Sequence, residues 1–77
     1  MDARLEKVLR KVFPIEGDMI DENWTSDDIP GWDSIGHLNL IMEIEKEFAV
    51  KIEIEEMFEV ETLADITRIL KMKKVLV

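Results

Sequence analysis

The chain contains no cysteine and no tyrosine, and only one of its 77 residues is histidine. The absence of cysteine excludes disulfides, thiolate nucleophiles and cysteine metal ligands, and it agrees with a reducing compartment. A single histidine leaves a metal site short of ligands, so we expect no metal. The sequence also lacks an apolar run long enough to span a bilayer, and its first residues lack the apolar core of a signal peptide. These absences predict a cytoplasmic protein with no membrane span.

Positive charge is also scarce, because ten Lys and Arg residues stand against eighteen Asp and Glu residues, a formal net charge of -8. The charge is concentrated in residues 33–65, which hold ten acidic and two basic residues; the rest of the chain is balanced. An acidic centre argues against nucleic acid, which needs a basic surface. It favours steering towards basic patches on protein partners. The alternative interpretation is a solvated surface that only aids solubility.

The length suits one small domain, which we assign to residues 1–77. Apolar residues recur at helical spacing over residues 2–13, and Pro14 ends this first amphipathic helix. Residues 14–32 have the glycine, proline and polar composition of a long ordered loop. We expect four large apolar side chains to anchor this loop on the core: Met19, Ile20, Trp24 and Ile29.

Residues 33–48 predict a central helix with two apolar faces. Asp33 suits the N-cap, since its carboxylate can accept from the free N–H groups of the first turn. With about 100° per residue, one face is predicted to meet the core and includes His37, Leu40, Ile41, Ile44 and Phe48. Nearly opposite lie three apolar residues where a surface helix usually has charges: Ile35, Leu38 and Met42. This second apolar face predicts a docking partner.

The last third of the chain predicts two more helices. Residues 50–54 alternate apolar and charged side chains, as a strand would, but no partner strand is evident. We therefore predict an extended link into a short helix at about 54–59, which adds Met57 and either Phe58 or Val60 to the core. Thr62 and Asp65 resemble a capping box for a final helix at about 63–73. The pattern assigns no function to residues 75–77. The predicted fold is all-α, with three main helices, a short third helix and a long first loop.

Ser34 follows the expected cap in the first helical turn, where we expect it to be exposed. A phosphate on its hydroxyl would lie against free backbone N–H groups and the positive end of the helix dipole. Asp33, Ser34 and His37 supply the residue types of a hydrolytic triad. His37, however, falls about 60° around the helix from Ser34. Asp33, which directly precedes the serine, suits a helix cap better than a residue that orients the imidazole. We therefore expect no catalytic residue and a packed or hydrogen-bonded His37; a weak esterase would need Ser34 and His37 within hydrogen-bond reach.

The segment Asp33-Ser34-Ile35, followed by an amphipathic helix that ends in Glu45-Lys46-Glu47-Phe48, resembles the phosphopantetheine attachment site of acyl carrier proteins. The flanking segments also fit the four-helix bundle of that family, so the resemblance covers nearly the whole chain. It implies that a separate transferase moves 4'-phosphopantetheine from coenzyme A onto Ser34, with Asp33 as the helix cap beside it. The thiol of the arm would carry an acyl group as a thioester. The chain would then be a tethered substrate and not an enzyme.

The resemblance also implies that enzymes with basic docking patches, which load or process the acyl group, bind the second helix. The contacts implied are Ile35, Leu38, Met42, Glu43 and Glu47. We expect such encounters to be transient and the carrier to be a monomer. Carriers of fatty acid biosynthesis usually have acidic residues two and five positions after the serine, where this chain has Gly36 and Asn39. This difference predicts a specialised carrier for a lipid, polyketide or modified-acid pathway.

Two alternatives remain open on the sequence. One is an aminoacyl or peptidyl carrier of nonribosomal synthesis, which would have the same arm and a different cargo. The other belongs to a different class of protein, an acidic helical adaptor without a prosthetic group.

Overall fold

Four helices are present in the computed structural model, which describes residues 1–76. They are α1 (Ala3–Val12), α2 (Ser34–Phe48), α3 (Ile54–Glu59) and α4 (Leu63–Met72). No strand occurs within residues 1–76, so the alternating segment before α3 is an extended link. The predicted all-α fold, with a short third helix and a long first loop, is confirmed. Of the three C-terminal residues without an assigned function, Val75 and Leu76 pack partly buried against the core, and Val77 lies outside the described residues.

Side-chain caps fix where the helices begin. The Asp2 carboxylate accepts from the backbone N–H groups of Arg4 and Leu5 at 2.9 and 3.2 Å, which starts α1. At α4 the predicted capping box is present, because Thr62 Oγ1 accepts from Asp65 N–H and Asp65 Oδ2 accepts from Thr62 N–H. Each cap satisfies donors that a helix leaves unpaired in its first turn. The predicted helix boundaries therefore hold to within one residue.

The core lies between α1, α2 and α4, which contribute fully buried leucines and isoleucines. Each such side chain stabilises the fold by about 1.5–3 kcal/mol relative to exposure. The predicted core face of α2 is confirmed, since Leu40, Ile41, Ile44 and Phe48 are all buried. The largest side chains with less than 2% exposure are Leu5, Leu9, Ile29, Leu40, Ile44, Leu63, Ile66 and Leu70.

The long first loop is attached to both the core and the start of α4. Ile29 is buried, and Ile20 and Trp24 pack partly buried against the core, as predicted. The backbone carbonyls of Trp24 and Glu22 accept from the N–H groups of Leu63 and Ala64 at 3.3 and 2.8 Å. The loop thereby satisfies two more donors in the first turn of α4.

One expectation for the core needs correction. Met19 is 81% exposed, because it belongs to a part of the loop, residues 16–19, that is exposed throughout and has open space around Gly17. The expected core contribution of Met57 with either Phe58 or Val60 is confirmed, because Val60 is buried and Met57 packs partly buried against the core. Phe58, the other alternative, is 74% exposed. A helix of only six residues buries one narrow side, and Phe58 lies about 100° around it from Met57.

None of the helices that the structure describes combines the length and the apolar character needed to cross a membrane.

Candidate functional site

The junction between the long loop and α2 is held by close backbone packing. Gly31 adopts a φ of +88°, a conformation that glycine adopts without steric cost. The carbonyl of Gly31 lies so close to the Cα of Gly36 that any side chain on Gly36 would overlap the carbonyl oxygen. Trp32 is buried, with its ring centroid 5.9 Å from that of Phe13. These contacts fix the position of the next residues, Asp33 and Ser34, at the start of α2.

Asp33 is the N-cap of α2, as predicted, and its Oδ1 accepts from Gly36 N–H at 2.8 Å. Ser34 is the first residue of the helix and is exposed. The cap uses the N–H group of the third helical residue, so the N–H groups of Ser34 and Ile35 remain at the positive end of the helix dipole. The Ser34 hydroxyl therefore lies in solvent where an attached phosphate would be stabilised.

His37 links the loop, α2 and α3. Its Nδ1 accepts from Trp32 Nε1 at 2.9 Å, and its Nε2 lies 2.9 Å from the Met57 carbonyl oxygen. A carbonyl can only accept, so Nε2 carries the proton and donates it to Met57. This confirms the predicted hydrogen-bonded histidine. With both ring nitrogens engaged, the geometry gives no support to an esterase in which His37 acts as a base on Ser34.

The outward apolar side of α2 has the predicted exposure. Ile35, Leu38 and Met42 are exposed by 74%, 51% and 56% of their surface. Isolated exposed apolar residues are ordinary, but three on one side of one helix form a continuous patch. The patch begins one residue after Ser34.

The two acidic residues of α2 implied as partner contacts lie on another side of the helix, against α1. Glu43 Oε2 is 3.0 Å from Lys11 Nζ, and Glu47 Oε1 is 3.5 Å from Lys7 Nζ. The hydrogen bond from Lys11 holds the pKa of Glu43 below its ordinary value. Both carboxylates are partly buried in these pairs. The sequence carries one signal for this arrangement, because Lys7 and Lys11 are four residues apart and share a side of α1.

An open groove of about 660 Å³ runs beside Ser34, between the long loop and α3. Helical periodicity does not predict this groove, because its shape depends on how α3 sits against the loop. The groove is lined by Thr25, Ser26, Asp27, Trp32, Asp33, Ser34, His37, Met57, Phe58, Val60 and Glu61.

Comparison with known families gives a match to a family described as the phosphopantetheine attachment site. The match covers residues 3–70, which include the first three helices, most of α4 and the loop before Ser34. No curated protein and no solved structure matches the chain significantly.

Proposed function

Because the chain belongs to the phosphopantetheine attachment-site family, we propose that it is an acyl carrier protein that holds acyl intermediates as thioesters on an arm attached to Ser34. Family membership confirms the resemblance found in the sequence and identifies covalent 4'-phosphopantetheine as the prosthetic group. When bound, the arm supplies the thiol that a cysteine-free chain lacks. Family membership also disfavours the adaptor without a prosthetic group.

The observation that supports Ser34 as the attachment residue is its exposed hydroxyl at the start of α2, directly after the capping Asp33. Only one other serine, Ser26, occurs in the chain, and it lies in the long loop away from any helix start. A phosphodiester on Ser34 would meet unpaired N–H groups and the positive helix end. Asp33 accepts from Gly36 N–H and so holds the first turn of α2 beside the attachment residue.

We propose that the protein performs no chemistry on the cargo and serves as a monomeric, cytoplasmic, single-domain substrate, residues 1–77, for other enzymes. Tethering raises the local concentration of the acyl group at each enzyme that binds the carrier. The partners are a phosphopantetheinyl transferase and enzymes that load and process the acyl group. They would contact the exposed patch of Ile35, Leu38 and Met42, and the resemblance adds Glu43 and Glu47. The contacts should be small, because the carrier must leave after each step.

The pathway we propose is a specialised one for a lipid, polyketide or modified fatty acid. Support comes from Gly36, because its contact with the Gly31 carbonyl leaves no room for the acidic side chain usual in carriers of fatty acid biosynthesis. Asn39, the second position that is usually acidic, is an exposed neutral residue here. An aminoacyl or peptidyl carrier has the same arm, so loading the arm-bearing protein with acyl-activating and amino-acid-activating enzymes in parallel separates the two cargo classes.

The test is incubation of the purified protein with coenzyme A and a broad-specificity phosphopantetheinyl transferase, followed by intact-mass measurement. We expect the parent protein and a Ser26→Ala control to gain one phosphopantetheine each, and Ser34→Ala to gain none. No mass gain on the parent protein would refute the carrier function. A gain on Ser34→Ala would place the attachment site elsewhere.

A further inference from the structure

His37 joins three parts of the chain close to Ser34. Its Nδ1 accepts from Trp32 Nε1 of the long loop, and its Nε2 donates to the Met57 carbonyl of α3, each at 2.9 Å. We call this pair of hydrogen bonds the His37 latch. Histidine is a side chain that changes its charge between about pH 5 and pH 8. The latch therefore places a titratable ring at the junction that positions Ser34.

The bond from Trp32 requires a His37 ring with no proton on Nδ1. The Met57 carbonyl can only accept, so Nε2 keeps its hydrogen in both charge states of the ring, and a second proton must go onto Nδ1. The rings of Trp32 and His37 meet edge to edge, since their centroids are 6.1 Å apart and their planes differ by 22°. The indole N–H therefore points along the Nδ1 lone pair. A proton on Nδ1 would face that N–H, and the hydrogen bond would be lost.

Loss of this bond acts on the loop and on the start of α2. Trp32 is only 6% exposed, and a buried donor without a partner is costly, so its indole N–H gains by moving towards water. Asp33, the N-cap of α2, directly follows Trp32, and Ser34 comes next. A displaced Trp32 therefore displaces the residues that begin the helix. The bond from His37 to Met57 survives protonation, because a charged ring still donates through Nε2.

The charged groups that face His37 favour a charged ring once it has left Trp32. No Lys or Arg within residues 1–76 lines the groove beside the ring, and on α3 the carboxylate of Glu56 is already paired with Lys73 at 2.8 Å. Carboxylates in solvent attract an imidazolium only weakly, because water and salt screen them. The indole N–H, by contrast, touches the ring directly and opposes a proton on Nδ1 in the latched state. The exposed acids that line the groove with His37 are Asp27, Asp33 and Glu61.

We propose that the His37 latch makes the loop before Ser34 sensitive to pH. The neutral ring holds Trp32 and the start of α2 in place, and proton uptake at Nδ1 releases them. The released state binds one more proton than the latched state, so lowering the pH shifts the equilibrium towards release. For a ring that titrates as an ordinary histidine when released, this shift is about tenfold between about pH 7.5 and about pH 5.5. The inference goes beyond the proposed function, because it concerns the fold of the unmodified chain.

The first test is urea denaturation of the parent protein, His37→Gln and Trp32→Phe at these two pH values. Between them, the unfolding equilibrium constant of the parent should rise about tenfold more than that of His37→Gln, because glutamine takes up no proton. Trp32→Phe should show a smaller rise than the parent, since its His37 ring can be protonated in the folded state without losing an indole bond. The carboxylates are common to all three proteins, so their titration cancels in the comparison.

The second test needs no variant and follows hydrogen exchange of the two indole N–H groups by NMR. Trp24, which packs partly buried in the same loop, is the internal control. The protection of the Trp32 N–H relative to that of Trp24 should fall about tenfold over the same pH interval. Equal pH dependence of the parent and His37→Gln, or parallel exchange of the two indoles, would overturn the proposal. Both tests use the protein without an arm, so those results would leave the carrier function standing, and a protein that accepts no arm would leave the latch standing.

Discussion

Replacing His37 by alanine tests whether this residue holds the loop before Ser34 in place. The change removes the acceptor for Trp32 Nε1 and the donor to the Met57 carbonyl, each at 2.9 Å. A hydrogen bond contributes about 1 kcal/mol net, and a buried donor left without a partner costs about 1–3 kcal/mol. Trp32 is buried, so its indole N–H would bear that cost. We therefore expect His37→Ala to lower the free energy of unfolding by about 2–4 kcal/mol.

Urea denaturation followed by far-UV circular dichroism measures this loss without relying on tryptophan fluorescence. For a domain of this size, a loss of 2 kcal/mol corresponds to a fall of at least about 8 °C in Tm. The matched variants are His37→Gln, which keeps one donor and one acceptor, and Trp32→Phe, which keeps a smaller aromatic ring but loses the indole N–H. A double-mutant cycle of His37→Ala with Trp32→Phe should give a coupling energy of about 1 kcal/mol. A loss under about 0.5 kcal/mol for His37→Ala, or additivity in the cycle, would refute the reasoning.

Three further predictions concern α2 and α4. Gly36→Ala should destabilise the protein by about 1–3 kcal/mol, since the new methyl group would overlap the Gly31 carbonyl and lie 3.2 Å from the Phe13 ring. The control is Asn39→Ala, at an exposed site on the same helix. Equal thermal stability of the two variants would contradict the prediction. Met42→Glu should slow arm transfer while leaving Tm within a few degrees of the parent, because Met42 is 56% exposed; a large fall in Tm would contradict its outward position. The backbone N–H groups of Glu61 and Thr62 lower the pKa of Asp65 in the folded state. Asp65 thus contributes stability above its unfolded-state pKa, and that contribution is lost as pH falls through the folded-state pKa. Acid titration of Asp65→Asn should show a flatter loss of stability below about pH 4, and a curve parallel to that of the parent would contradict this.

Local patterns in the sequence were sufficient to predict the helices. The caps Asp33 and Thr62 and the apolar periodicities are properties of single segments, so they required no knowledge of how the segments pack. Predicting whether an apolar residue of a loop or a short helix is buried required knowledge of how the segments pack. Met19 was expected at the core because it is large and apolar, but it lies in an exposed part of the loop. The sequence left Phe58 and Val60 open as alternatives for the core, and the structure buries Val60.

The candidate site also combines features that follow from a single helix with features that depend on how the helices pack. Exposure of Ser34, the cap by Asp33 and the outward patch of α2 all follow from the phase of one helix, and the structure has them as predicted. The pairs that Glu43 and Glu47 form with lysines depend on the packing of α1 against α2. The groove beside Ser34 depends on how α3 meets the long loop. These features are tertiary contacts, which helical periodicity does not determine.

The most direct test of the carrier function is to locate the arm on the protein itself. After incubation with transferase and coenzyme A, the modified chain should be digested and its peptides fragmented in a mass spectrometer. We predict one phosphopantetheine, on the peptide that contains Ser34, with Ser26 unmodified. A group found on Ser26, or a fully folded protein that acquires none, would contradict this assignment.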